Sequence, residues 1–196
     1  MNLDDVRHMS QTLDEIPDDR PDWLKATCLA PDWKYYRLLH EVAKRLAPFR
    51  AVEIGTDKSG GAAHLAYANA SGNVITIDID TKAGEHAMRL PISNVLFVLG
   101  GSMQVADRVA AFGPFDICFI DANHELQSAY PEYVRYRKMV KQDGLIFFDD
   151  VDDRGLFPTM IDFWNRIADP KTLLPGMHYS GFGVCQVKHE IVPPPL

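Results

Sequence analysis

Five short, largely apolar runs recur along the chain, and enough residues separate each from the next to form a helix. The runs cover residues 51–54, 74–77, 95–99, 115–120 and 145–148. Because they are not polar at every second position, they are typical of strands that are buried on both faces. Strands that alternate with helices predict an α/β fold, in which a mostly parallel sheet carries helices on both faces. A segment rich in glycine and aromatic residues near the C-terminus predicts a final hairpin.

The domain limits are predicted from composition. Residues 1–31 are polar and contain three prolines, which predicts an N-terminal arm. Asp32 is then expected to cap a helix that extends to Ala47 and ends at Pro48. A chain of 196 residues fits one domain, which we place at residues 32–190, before a proline-rich tail at residues 191–196.

Charge and cysteine content limit the partners and the setting of the chain. The net charge of -7 disfavours broad nucleic-acid binding, because such binding needs Lys and Arg to displace counterions from phosphates. The three cysteines are far apart, which favours reduced thiols and a cytoplasmic location. The apolar runs are shorter than the roughly 18 residues of a membrane span, and the N-terminal residues are too polar for a signal peptide.

Residues that directly follow the predicted strands are candidates for ligand contacts, because parallel α/β sheets bind ligands at the carboxyl ends of their strands. The candidates are Gly55, Asp78, Gly100 to Ser102, Asp121, and Asp149 with Asp150. The first exit matches neither G-x-G-x-x-G nor a P-loop, so NAD and P-loop interpretations have little support. Gly55 would let the backbone approach a ligand, and an acid about 20 residues later suits ribose hydroxyls. Alternatively, Gly55 only forms a turn and Asp78 only faces solvent.

Three carboxylates, those of Asp121, Asp149 and Asp150, are expected at one end of the sheet because they follow adjacent strands. Carboxylates that lie this close together repel one another, which raises their pKa values unless a cation neutralises their charge. Their oxygen atoms suit Mg²⁺ or a similar hard cation. One alternative is that Asp149 or Asp150 caps the next loop and that His124, three residues after Asp121, only packs. Another is that Arg154 pairs with one of the acids and leaves no metal site.

Four motifs together resemble class I S-adenosylmethionine-dependent methyltransferases: V-E-I-G-T, I-D-I-D, F-I-D-A-N-H-E and G-L-I-F-F-D-D-V. The resemblance covers roughly residues 50–152 and is strongest to the branch of macrocin-type sugar O-methyltransferases and so-called cephalosporin hydroxylase proteins. It implies a Rossmann-like fold with S-adenosylmethionine as the cofactor.

The resemblance also assigns roles to residues. It implies these cofactor contacts: Glu53, Gly55, Thr56, Ser59, Gly60, Asp78, Ile79, Ser102, Met103 and Asp121. In the family, G-D-S often follows the third strand beside the adenine, whereas this chain has Gly101 in place of the acid, which leaves Ser102 and Met103 as candidates. It further implies Mg²⁺ bound by Asp121, Asp149 and Asp150, with His124 and Asp121 as catalytic residues and His124 as the base.

The expected activity is metal-assisted O-methylation of a small hydroxylated, sugar-like acceptor. Two alternatives stay open from the sequence. The chain could be a non-catalytic nucleoside-binding protein on the same fold, or another α/β enzyme that acts on nucleotide sugars. Aromatic residues in the N-terminal arm favour a homodimer.

Overall fold

A seven-stranded sheet with the strand order β3-β2-β1-β4-β5-β7-β6 forms the centre of the protein. The computed structural model describes residues 1–28, 33–46, 49–152 and 155–195. The strands are β1 (Arg50–Ile54), β2 (Asn73–Asp78), β3 (Val95–Leu99), β4 (Phe115–Ile120), β5 (Val140–Asp149), β6 (Lys171–Leu173) and β7 (Phe182–Gln186). The predicted helix cap at Asp32, the predicted helix end at Ala47 and Pro48, and Arg154 lie outside the described residues.

The first five strands are parallel, and the last two are antiparallel additions at one edge. β1 pairs with both β2 and β4, β2 with β3, and β4 with β5, all in parallel. β7 lies antiparallel between β5 and β6. This arrangement confirms the predicted mostly parallel α/β sheet with a C-terminal hairpin. Because the strand order reverses between β1 and β4, their carboxyl ends flank the crevice where such sheets bind ligands.

Helices cover both faces of the sheet. They are α1 (Leu3–Gln11), α2 (Asp22–Lys25), α3 (Tyr35–Arg45), α4 (Gly60–Ala68), α5 (Thr81–Met88), α6 (Ser102–Ala110), α7 (Leu126–Arg137) and α8 (Thr159–Arg166). One core contains side chains of α6, α7 and α8, such as Val109, Tyr133 and Phe163. The other contains side chains of α1, α3 and α4. Burial on both faces explains why the parallel strands are apolar throughout.

The N-terminal segment is more ordered than its polar composition predicts. Its described part, residues 1–28, forms α1, a short 3₁₀ turn and α2. Val6, Met9 and Leu13 are buried in the same core as α3 and α4. The segment is amphipathic, so its average composition conceals one apolar face. The division of the chain at residue 31 stays a prediction.

The start of β5 differs from the sequence-based expectation. β5 begins at Val140, five residues before the apolar run at residues 145–148 that predicts it, and the helix before it, α7, ends at Arg137. Pro131 lies inside α7, beyond its first turn, although proline is best tolerated in the first turn. Among the described residues, we find no helix with the length and apolar character that crossing a membrane requires.

Candidate cofactor and catalytic site

A cavity of about 850 Å³ lies at the carboxyl ends of β1 to β4. Six of the predicted cofactor residues line it: Gly55, Asp78, Ile79, Ser102, Met103 and Asp121. Its remaining walls include residues from the start of α6 and from α7. The structure therefore brings together most of the residues that the strand-exit argument selected.

The turn after β1 has an unusual backbone. Gly55 has a φ of +95°, and Asp57 and Ser59 also have positive φ values, of 39° and 67°. A Cβ atom on Gly55 would lie 1.8 Å from the carbonyl oxygen of Asp121. The glycine is thus required by close contact between the chain after β1 and the chain after β4. The sequence-based argument, which assigned the close approach to a ligand, misses this contact.

Asp78, at the end of β2, holds this turn in place. Its Oδ2 atom accepts hydrogen bonds from the backbone N–H groups of Thr56, at 2.9 Å, and Asp57, at 3.1 Å. Its Oδ1 atom accepts one from the N–H of Asp80, at 2.9 Å. Asp78 therefore lines the cavity and also fixes the turn after β1. The sequence does not indicate this second, structural role.

Glu53 and Thr56 lie beneath the turn rather than on the cavity wall. Glu53 is only 1% exposed, and its Oε2 accepts a 2.5 Å hydrogen bond from the hydroxyl of Thr76. The Thr56 hydroxyl is 2.6 Å from that of Thr76, and the N–H of Ala62 also donates to Glu53. Burial raises the pKa of Glu53 to about 8 despite these hydrogen bonds. The cofactor role of Glu53 and Thr56 stays a prediction, and the structure gives them a supporting position.

Ser59 and Gly60 lie where the turn joins α4. Ser59 is fully buried, and its Oγ has no hydrogen-bond partner among the described residues. A Cβ atom on Gly60 would lie 2.8 Å from the ring of Tyr36, so Gly60 allows α3 and α4 to pack closely. Neither residue lines the cavity, and their predicted contact with the cofactor also stays a prediction.

A second group of polar side chains, the acid–histidine cluster, adjoins the cavity through Asp121. It comprises Asp121, His124, Asp149, Asp150 and His178. The Nδ1 atom of His178 is 2.7 Å from Oδ1 of Asp149 and 3.4 Å from Oδ1 of Asp150. One potential ligand atom from each of these three residues lies within 4.8 Å of the others. Sequence reasoning does not select His178, which lies between β6 and β7 and follows no parallel strand.

His124 lies between two of the acids. Its Nδ1 atom is 3.1 Å from Oδ2 of Asp150, and its Nε2 atom is 3.7 Å from Oδ1 of Asp121. The imidazole packs against the ring of Phe157 with centroids 4.6 Å apart. Its side chain is 18% exposed, so the imidazole is oriented by the protein while keeping access to solvent.

Burial and mutual repulsion hold two of the acids toward their protonated forms. Burial raises the pKa of Asp121 well above its usual value, and the charges of Asp149, Glu53 and Asp150 add to this effect. Burial also raises the pKa of Asp149, although its hydrogen bond with His178 opposes the shift. Perturbed carboxylates grouped beside a cavity are typical of functional sites.

Asp150 and His178 form the charged pair of the cluster. Burial favours a higher pKa for Asp150, but hydrogen bonds from His178 and Ser180 and the charge of His124 leave it below its usual value. Burial favours a lower pKa for His178, but its hydrogen bonds with Asp149 and Asp150 raise it to about 9. His178 therefore carries a proton at neutral pH and offsets part of the negative charge.

Aromatic residues cover the cluster. The ring of Trp33 lies 4.8 Å from that of His178, and the ring of Tyr35 lies 5.3 Å from it. Both residues come from the region of α3, whose position near the cluster the sequence does not indicate. The two rings contribute to the burial of His178, whereas the His124 side chain keeps partial exposure.

Known proteins share both the sequence pattern and the architecture. A family model described as a methyltransferase domain matches residues 52–151, just over half of the chain. Cofactor-bound Rv0187 from MTB is 22% identical, with a TM-score of 0.73 over 91% of this chain and 95% of that chain. An O-methyltransferase from Bacillus cereus in complex with SAH is 19% identical, with a TM-score of 0.72 over 92% and 97%. The O-methyltransferase TomG from Streptomyces achromogenes, involved in tomaymycin synthesis and in complex with SAM, is 18% identical, with a TM-score of 0.71 over 95% and 99%.

The structural matches establish the shared fold, and the family model extends from β1 to the acids after β5. This stretch contains the turn after β1, the acid at the end of β2 and four of the five members of the acid–histidine cluster, all but His178. The chain therefore belongs to the methyltransferase-domain family and has the class I S-adenosylmethionine-dependent methyltransferase fold.

Proposed function

We propose that the protein transfers a methyl group from S-adenosylmethionine to a hydroxyl group of a small, sugar-like acceptor. The observation that carries this proposal is the position of Asp121, which lines the cavity and also belongs to the acid–histidine cluster. A cofactor in the cavity would therefore lie directly beside groups able to orient and deprotonate an acceptor. Two of the similar structures hold SAM or SAH, which supports the assignment of the cofactor.

In this proposal the cavity binds the nucleoside part of the cofactor. Asp78 keeps one of its roughly four lone-pair sites, on Oδ1, for a ribose hydroxyl, while its three backbone hydrogen bonds hold the carboxylate still. Ile79 and Met103 add apolar surface to the cavity wall. A carboxylate that is already immobilised loses little further entropy on binding, which favours affinity.

His124 is proposed to receive the proton of the acceptor. S-adenosylmethionine, when held beside Asp121, would supply the methyl group: the acceptor oxygen would bond to the methyl carbon as the electron pair of the carbon–sulfur bond passes to sulfur, which would give S-adenosylhomocysteine. The hydroxyl proton passes to the imidazole of His124, which Asp150 at 3.1 Å orients and stabilises in its charged form. Alignment of the acceptor oxygen with the methyl group would further increase the rate of transfer, because the reacting atoms are already held in position.

The donor set also fits a divalent cation. Asp149 and Asp150, which have ligand atoms within 4.8 Å of each other, would hold Mg²⁺ or a similar ion together with the predicted ligand Asp121, and carboxylate oxygens are the ligands that such ions prefer. Burial raises the pKa values of Asp121 and Asp149 and neighbouring carboxylates add to the shifts, so a bound cation would favour the ionised forms of both acids. When bound, the cation lowers the pKa of an acceptor hydroxyl that chelates it. His178, hydrogen-bonded to Asp149, would have to yield part of that carboxylate.

Binding and turnover test this proposal separately. Calorimetry with S-adenosylhomocysteine is expected to show one site per chain, and the absence of binding would refute the cofactor assignment. Transfer of a radiolabelled methyl group is then measured across a panel of monosaccharides, nucleotide sugars and other polyols. Binding without transfer to any acceptor would favour the non-catalytic alternative.

Metal dependence is measured on the same reaction. Treatment with EDTA is expected to abolish methyl transfer, and added Mg²⁺ is expected to restore it, while binding of S-adenosylhomocysteine persists in both cases. Full activity in the EDTA-treated protein would exclude the cation and leave the cofactor assignment intact.

A further inference from the structure

Glu132, on α7, presents a buried carboxylate that is only half satisfied. The residue is 6% exposed and lines the cavity. Its Oε1 atom accepts a hydrogen bond from the hydroxyl of Ser102. Its Oε2 atom is buried and has no hydrogen-bond partner among the described residues. A native protein rarely leaves such an oxygen unpaired, because removing a carboxylate oxygen from water without giving it a partner is unfavourable.

The position of this carboxylate is fixed by neighbours that are themselves held in place. Ser102 begins α6 directly after β3, and its carbonyl oxygen accepts a 2.7 Å hydrogen bond from the hydroxyl of Tyr136. Tyr136 and Glu132 are one turn apart on α7. The contacts between α6 and α7 therefore hold Glu132 at the end of the cavity that follows β3.

That end of the cavity combines apolar surfaces with the carboxylate of Glu132. Ile79, Met103 and Pro131 line the same cavity as Glu132. At the neighbouring position 101 the chain has glycine, which offers no side-chain acceptor. A flat, aromatic ligand with an amino group on its edge matches this combination, because its faces suit apolar contacts and its N–H suits the carboxylate.

We propose that Glu132 accepts a hydrogen bond from the exocyclic amino group of the cofactor's adenine, in place of an acid at position 101. This inference rests on the proposed function, since it assumes that the cavity holds S-adenosylmethionine. It makes Glu132 a specificity-determining residue that distinguishes adenine from bases with an oxo group at the same position. Burial raises the pKa of Glu132, which is consistent with a carboxylate that lacks a partner until a ligand binds.

The test compares two ligands on the wild-type protein by calorimetry. They are S-adenosylhomocysteine and S-inosylhomocysteine, in which an oxo group replaces the adenine amino group. The adenosyl ligand is expected to bind at least about 10-fold more tightly, because the oxo group leaves the carboxylate unpaired and repels it. Equal affinities would overturn the inference without a variant being needed.

The Glu132→Gln variant then assigns the preference to this residue. Gln keeps the shape and can accept from Ser102, but its amide N–H suits an oxo group, so the preference is expected to fall below about 3-fold or to reverse. Glu125→Gln, an exposed position near the start of α7, is the matched control and should retain the wild-type preference. An unchanged preference in Glu132→Gln would overturn the inference while leaving the proposed function standing. A wild-type protein that binds neither ligand would overturn both.

Discussion

The cavity and the acid–histidine cluster occupy the same end of the sheet, yet they are built in different ways. The cavity depends on backbone geometry, with positive φ values after β1 and backbone N–H groups bound to Asp78. The cluster depends on buried charge, with carboxylates from β4 and β5 and a histidine from the β6–β7 connection. In the proposed function, binding and chemistry therefore depend on largely different residues, and Asp121 is the predicted site residue that the two regions share.

Replacement of His124 should give the largest effect and should affect chemistry alone. We expect His124→Ala to lower kcat by roughly 10²–10⁴-fold, the usual contribution of a positioned general base. The affinity for S-adenosylhomocysteine should change by less than about 2-fold, because His124 does not line the cavity. Single-turnover methyl transfer and calorimetry on the same preparation measure the two quantities.

The exposed His86 on α5 provides a control for the loss of an imidazole elsewhere on the protein. His86→Ala should retain both turnover and affinity. Wild-type turnover in His124→Ala would remove His124 as the base. A matching loss of affinity would show that the cluster and the cavity are not separable.

The turn after β1 can be tested through protein stability. Gly55→Ala should destabilise the protein by roughly 3–5 kcal/mol, since it combines positive φ with a Cβ atom 1.8 Å from the Asp121 carbonyl oxygen. Gly176 is the matched control, because it has a φ of +78° and open space around its Cβ position. Gly176→Ala should cost only about 1–2 kcal/mol. Urea unfolding of both variants measures the difference, and equal losses would mean that contact with Asp121 contributes nothing.

Asp78 connects the turn to the ligand, so its loss should weaken binding more than folding. We expect Asp78→Ala to weaken S-adenosylhomocysteine binding by roughly 10- to 150-fold, because hydrogen bonds to a charged group contribute about 1.5–3 kcal/mol. Asp80→Ala is a suitable control, since Asp80 caps α5 but does not line the cavity. Unchanged affinity in Asp78→Ala, measured by calorimetry, would limit Asp78 to its structural hydrogen bonds.

The features of the cavity were accessible from sequence because they lie directly at strand ends. Gly55, Asp78, Ser102 and Asp121 each follow a strand that the apolar runs mark, and parallel strands place such residues at one edge. The same reasoning places Asp149 and Asp150 beside Asp121. The parallel direction of the first five strands was likewise predictable from the alternation of strands and helices.

The remaining features depend on contacts between distant parts of the chain. His178 reaches the acids only because β7 inserts antiparallel beside β5, which no local pattern indicates. The orphan oxygen of Glu132 depends on the exact approach of α7 to Ser102. The position of Glu53 beneath the glycine turn, hydrogen-bonded to Thr76, was likewise not accessible from sequence, and its cofactor role stays a prediction.

The smallest expected effect concerns this buried acid. The pKa of Glu53 in the folded protein is about 8, whereas the ordinary value is 4.5. The folded state therefore holds the proton more tightly than the unfolded state. Its contribution to stability is fully present below pH 4.5 and is lost as the pH rises through 8. This direction is opposite to that of an acid in a salt bridge.

Other groups titrate in the same pH range, so the pH dependence of wild-type stability does not by itself report on Glu53. The difference in stability between the wild type and Glu53→Gln does report on it. The amide is neutral at every pH and can accept the hydrogen bond from Thr76. The free energy of unfolding of the wild type, relative to that of the variant, should fall by about 1 kcal/mol between pH 7 and pH 8. Urea unfolding at both pH values measures this change. If the stabilities of the wild type and the variant changed in parallel with pH, Glu53 would be ionised in the folded protein. The turn above it would then rest on a buried charge, as the acid–histidine cluster does. A difference of the expected size would instead leave the cavity resting on neutral groups and would preserve the contrast between the two regions.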